Sequence, residues 1–244
     1  MKKFWIALQF LTVLPVRMKE PFKEEDFKGL LSLFPAVGAC IGVVPALVAA
    51  CCTFLPHLAL VALALAILTV ITGALHIDGL ADTCDGLFSG QPKDRMLEIM
   101  RDSRIGTFGA VGVCLLLLLK FAFLAGLPQD LLWKIFILMP VFARWIQSVA
   151  CASCAYARTG GKAELFFKHA GIRDVVVGGV FSLALFQVFL GIPGIVLFGA
   201  AMLPAMLFIR FADRKLQGMT GDTVGAASEI AELSVLFFSV GFLR

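Results

Sequence analysis

The chain has 244 residues, 60% of them hydrophobic and 16% charged, with a mean hydropathy of +0.94 and a formal net charge of +4. Soluble domains hold roughly 45–50% apolar and about 25% charged residues, and a chain this long has too much wetted exterior to hide such an excess. A soluble globule, a disordered chain and a collagen-like or coiled-coil repeat are excluded; the charge is too slight and dispersed for a nucleic-acid partner; an all-α, polytopic membrane bundle remains.

At the start, Lys2 and Lys3 precede an apolar run from Phe4 to Val16 that resembles the opening of a signal peptide, but no A-x-A cleavage site follows. Lys19, Glu20, Lys23, Glu24, Glu25, Asp26 and Lys28 come directly after it, so the run reads as a helix lying in the membrane interface. About 20 mostly apolar residues cross a bilayer as a helix. Seven stretches qualify: 33–54, 58–75, 106–126, 131–155, 174–190, 193–211 and 226–243. They are continuously apolar, unlike the alternating strands of a membrane barrel. With the N-terminus inside, seventeen of the 21 Lys and Arg residues fall on one face, together with the polar loops 76–105, 156–173 and 212–225. Short cation-rich loops stay in the cytoplasm, so any chemistry is expected on the cytoplasmic side. No separate soluble segment is long enough to be a second domain, and residues 1–244 read as a single integral membrane domain. The seven cysteines are odd in number and, Cys84 apart, sit in apolar stretches, as packing residues do.

The polar loops carry the chemistry. Asp78, Asp82 and Asp85 stand at i, i+4 and i+7, which puts three carboxylates on one helical face. Like charges so placed repel unless a cation sits among them, and oxygen ligands without soft partners suit Mg²⁺ or Mn²⁺ held with substrate phosphates. Gly79 and Gly86 permit close backbone approach. His76 reads equally as a general base and as an ordinary interfacial histidine. Arg95, Arg101 and Arg104, interleaved with Glu98 and Asp102, have the planar fork that fits phosphate oxygens, and with the aspartates they make a diphosphate clamp. Further on, Arg158 beside Gly160 and Gly161 fits a second anion contact or a membrane-edge cation. Residues 218–225 form a Gly- and Thr-rich turn around Asp222 that leads into a span bearing Glu229 and Glu232. Buried carboxylates need a partner; Arg144, central in its own span, is expected to pair with a carboxylate such as Glu229. A cation transporter, with Glu229, Glu232 and Arg144 lining a path, is the alternative of a different class. It is disfavoured because most acids lie in one loop and no internal repeat is visible.

His76-Ile77-Asp78-Gly79-Leu80-Ala81-Asp82-Thr83-Cys84-Asp85-Gly86, followed by Arg101-Asp102-Ser103-Arg104-Ile105-Gly106-Thr107-Phe108-Gly109, closely resembles the cobalamin synthase (adenosylcobinamide-GDP ribazoletransferase) family. Gln9-Phe10-Leu11-Thr12 with Leu14-Pro15, and residues 218–225 with Glu229, match in order along the whole chain. The resemblance implies a Mg²⁺-dependent enzyme of the bacterial or archaeal cytoplasmic (inner) membrane, surrounded by lipid and acting late in vitamin B12 assembly. It would join adenosylcobinamide-GDP to α-ribazole or its 5′-phosphate with release of GMP, and it leaves room for association with other cobalamin-assembly enzymes. By motif position it implies metal binding by Asp78, Asp82 and Asp85, to which Glu229 is added. Substrate binding falls to Arg101, Arg104, Arg158 and Asp222, and catalytic roles to Asp82, Asp102 and His76, the last as base. Phosphotransferases of the CDP-alcohol type are the runner-up; their pattern of DG, two residues, AR and a GxxxDxxxD tail is not met, since Asp82 directly follows Ala81 and no such tail follows.

Overall fold

The structure, a computed structural model, describes residues 2–15, 22–161 and 163–243. Arg17, Lys19, Glu20, Lys162 and Arg244, which count in the expected topology, lie outside them. The described residues form α-helices and short 3₁₀ turns with no β-strand: α1 (Lys2–Leu11), α2 (Phe34–Cys51), α3 (His57–Ile71), α4 (Leu75–Leu87), α5 (Lys93–Ile99), α6 (Thr107–Ala125), α7 (Gln129–Ser153), α8 (Glu164–His169), α9 (Ile172–Leu190), α10 (Ile192–Leu216) and α11 (Gly221–Phe242). Six of them, α2, α6, α7, α9, α10 and α11, are long and apolar enough to cross a membrane. The chain is thus a multi-pass membrane protein, all-helical over its described residues.

The expected span 58–75 is corrected. It ends at Ile71, because Gly73 and Ala74 take left-handed φ values of 59° and 54°, and α4 sets off at 85° to α3. The expected polar loop 76–105 is largely helical, comprising α4 and α5. With 13 residues, α4 is too short to cross by itself. At the other end of the chain, the expected span 226–243 begins earlier, at Gly221. Thr220 caps it by accepting from Thr223 N–H at 3.2 Å, while its own N–H donates to Thr223 Oγ1 at 2.8 Å. With 10 residues α1 is also too short to cross; it buries Ile6, Ala7, Leu8 and Leu11 and leaves Trp5 exposed, as an interfacial helix does. Val13, two residues beyond it, donates a backbone hydrogen bond to Ile71 O at 2.9 Å, tying it to the break between α3 and α4.

At the centre lies α7, almost wholly buried and packed on α2, α9 and α11. Helices gain no hydrophobic advantage over lipid by meeting one another, so close backbone approach through small residues holds them. Gly38 and Gly42 of α2 provide it: a Cβ on Gly38 would stand 2.5 Å from Pro140 O, and one on Gly42 would collide with Phe136 O.

Charge inside the bundle is neutralised across three helices. Lys120 of α6 donates to Glu229 at 2.5 Å and to Glu232 at 2.6 Å, while Arg144 of α7 donates to Glu232 at 3.0 Å and Ser228 at 2.9 Å. Arg144 thus finds the expected carboxylate partner, but it is Glu232 rather than the suggested Glu229. Glu229 faces α6, where Lys120 supplies a cation that the loop-centred reading overlooked. All four side chains are buried. An unpaired charge here would carry a desolvation cost that the two-by-two arrangement removes.

Candidate active site

Two glycine contacts bring the motifs together. Where α4 crosses the start of α11, a Cβ on Gly79 would lie 2.9 Å from Asp222 O, and one on Gly225 would lie 3.3 Å from the Cα of His76. The absence of side chains at these two points sets the His76–Asp82 stretch directly against Asp222. On its far side α4 meets α6, with Gly109 against Ala81 O. There Asp85 accepts from Gly106 N–H at 2.7 Å and Gly109 N–H at 2.9 Å. It thereby serves the first turn of α6, whose N–H groups have no partner within the helix.

A second strut comes from residues 155–158. Met219 N–H donates to Ala155 O at 2.8 Å and Ala157 N–H to Met219 O at 2.9 Å, a short two-stranded contact. Gly218, at φ 139°, permits it, since a Cβ there would meet Ala155 O at 2.6 Å. The contact delivers Arg158 to Asp222, Nη1 to Oδ2 at 2.8 Å, with both side chains mostly covered.

These elements enclose a cavity of about 580 Å³. His76, Asp78, Arg101, Arg158 and Asp222 border it, alongside the phenylalanines 10, 34, 166 and 167 and Gln147. His76 Nδ1, Arg158 Nε and Gln147 Oε1 are buried without a hydrogen-bond partner. Buried polar atoms are nearly always satisfied, so three unsatisfied ones around one cavity mark a place prepared for a ligand. Asp82, one turn along α4 from Asp78, does not border the cavity. Burial, then the carboxylates of Asp222 and Asp78, push its pKa up to about 7 against the opposing pull of Arg158. The group holds more negative charge than its arginines balance, a setting that accepts a cation.

Several expected site residues lie elsewhere. Asp85 is engaged as the cap of α6, and Glu229 sits in the buried ion-pair network with Lys120 rather than with the aspartates. Arg104 is 87% exposed and grips Asp102 at 2.6 Å, the two forming a surface pair that does not border the cavity. The hydrogen bonds from Arg104 hold the Asp102 carboxyl down at about 2. Among the described residues, no three His, Cys, Asp or Glu side chains converge as a ready-made coordination cluster. The aromatic wall and Gln147 were missed. Gln147 was detectable as an uncharged polar residue one turn from Arg144 within an apolar span; the wall was not, because its members come from α1, α2 and α8.

A family profile described as cobalamin-5-phosphate synthase matches residues 3–240. The chain belongs to the cobalamin-5-phosphate synthase family. It is similar to proteins named adenosylcobinamide-GDP ribazoletransferase from Geotalea daltonii (39% identical, covering 97% of this chain and 96% of the relative), Clostridium novyi (37%, 99% and 98%) and Desulfitobacterium hafniense (40%, 97% and 95%). No solved structure matches the chain. Membership of the cobalamin-5-phosphate synthase family spans both halves of the cavity, since the profile runs through the His76–Asp85 motif and the Gly218–Gly225 turn alike.

Proposed function

We propose that the chain is a Mg²⁺-dependent adenosylcobinamide-GDP ribazoletransferase that works on the cytoplasmic face of the inner membrane. The observation that carries this reading is the convergence of Asp78, Asp222, Arg101 and Arg158 on one cavity, in a chain similar over nearly its whole length to proteins of that name. In the reaction, a hydroxyl oxygen of α-ribazole or its 5′-phosphate attacks the phosphorus that carries the cobinamide. The bond from that phosphorus to the GMP oxygen breaks, and adenosylcobalamin or its 5′-phosphate leaves together with GMP. Arg101 and Arg158 bind the diphosphate oxygens; the pair with Asp222 fixes the Arg158 fork, whose Nε stays free to donate. His76 Nδ1, buried and unpartnered at the cavity wall, takes the proton of the attacking hydroxyl.

Mg²⁺ fits the donors present: it commonly uses one or two carboxylates and fills its remaining positions with water and substrate phosphates. Asp78 and Asp222 would hold it, with Asp82 adding charge from one turn along α4, and it would neutralise charge developing on the diphosphate. The test is GMP release from adenosylcobinamide-GDP by purified protein in liposomes, with α-ribazole and Mg²⁺ each present or omitted. Release that needs both is expected. Release without the nucleoside, or none from folded protein, overturns the reading.

A further inference from the structure

The cavity has two chemically different ends. Asp78, Asp222, Arg101 and Arg158 gather charge at one. At the other, Phe10 of α1, Phe34 of α2 and Phe166 of α8 close on each other, with ring centroids 4.5 Å apart for Phe10–Phe166 and 5.6 Å for Phe34–Phe166. Gln147 of α7 borders the cavity, is 2% exposed, and its Oε1 has no partner.

A flat ring gains by stacking on such a wall. Phenylalanines, however, offer nothing to a base's edge. Guanine placed there would leave its N1–H, amino group and O6 without partners, and buried unpaired polar groups are costly. A base of benzimidazole type, as α-ribazole carries, has no donor on its edge and a single ring nitrogen to leave unpaired, so it loses much less.

We infer that the aromatic end seats the base of the acceptor nucleoside, and that Gln147 Oε1 accepts a hydrogen bond from a ribose hydroxyl of that nucleoside. Such a base supplies no donor, so the sugar must. The inference rests on the ribazoletransferase reading and adds to it a selection rule: acceptors with an apolar base edge are preferred over purine ribosides.

Initial rates in liposomes, with acceptor and donor varied in turn, test it for Phe10→Ala, for Phe10→Leu, which keeps bulk but removes the aromatic face, and for Gln147→Leu, which keeps size but removes the acceptor. Each alanine or leucine variant should raise the KM for α-ribazole by about tenfold and leave that for adenosylcobinamide-GDP within about twofold. The wild-type protein should use α-ribazole at least about tenfold better in kcat/KM than a purine riboside. Unchanged acceptor KM, an equal rise for both substrates, a rise for the donor alone, or preference for the purine would overturn the placement. If the wild-type protein releases no GMP, the ribazoletransferase reading fails instead. The placement is then still decided by binding of α-ribazole to donor-free protein, followed through the fluorescence of its base: weakening in the variants supports it, and equal binding sinks it.

Discussion

Two groups of charged side chains lie within reach of α11, and they are built on opposite plans. Around the cavity, Asp78, Asp82 and Asp222 outnumber Arg101 and Arg158, and polar atoms of His76 and Arg158 are left without partners. Between α6, α7 and α11, Lys120 and Arg144 match Glu229 and Glu232 one for one, in ion pairs of 2.5–3.0 Å sealed from solvent. Composition does not distinguish them, since both are acidic and basic residues at the edge of or within apolar helices. Balance does. A set whose charges cancel is finished, even with Arg144 Nε left unpartnered, whereas a set with surplus charge beside an open cavity is waiting for something.

Removing one member of the neutral set should therefore be the most damaging single change to stability. Lys120→Met leaves Glu229 without its cation and is expected to cost about 3–5 kcal/mol, read as a large drop in the thermal midpoint of the protein in detergent. Pairing it with Glu229→Gln should recover most of that loss; a double variant as unstable as the single one would refute the balance account. Asp82→Ala should do the reverse. It lowers GMP release by on the order of a thousandfold, because several kcal/mol of charge stabilisation at the diphosphate depend on the carboxylates, while insertion and thermal midpoint stay close to wild type. Normal turnover in that variant would remove Asp82 from the surroundings of the cation.

The sequence made much of this readable. Six of the seven apolar stretches map onto α2, α6, α7, α9, α10 and α11, helices long and apolar enough to span, and the seventh onto the shorter α3. The i, i+4, i+7 aspartates do lie on a helix, α4. Three features stayed hidden, each for a reason of geometry. The break after Ile71 depends on Ala74 adopting a left-handed conformation, which no residue pattern announces. Asp85 looks like its two neighbours in the motif, and only the arrival of Gly106 and Gly109, more than twenty residues on, makes it a helix cap. The partner of Arg144 depended on which face of α11 turned toward α7 and which toward α6, and the choice between Glu229 and Glu232 was settled by packing.

Arg158→Lys comes next in size. Lysine keeps the charge but loses the fork that holds Asp222 and reaches a phosphate in the same gesture, so a fall of about 10- to 100-fold in kcat/KM for adenosylcobinamide-GDP is expected, with unchanged thermal stability. A fall in stability with intact kinetics would move Arg158 from the site into the scaffold.

The smallest effect should come from Arg104→Ala, and it sharpens the comparison because the motif makes Arg104 look as important as Arg158. The two arginines differ in surroundings: Arg158 is 12% exposed beside the cavity, and Arg104 is 87% exposed and engaged with Asp102 on the surface. Exposed pairs are screened and contribute little. At neutral pH turnover should change by less than about threefold. Acid should separate the two proteins. With Arg104 present the Asp102 carboxyl is held at about 2, so whatever the ionised pair contributes is fully present above the ordinary carboxylate range and is lost only as pH falls through about 2. Without Arg104 the carboxyl returns toward its ordinary value and takes up its proton earlier. A pH titration of Asp102 by carboxyl-carbon NMR in selectively labelled protein should therefore shift upward in the variant. A large loss of turnover at neutral pH would instead mean that the 101–106 loop closes on bound substrate and carries Arg104 to the diphosphate.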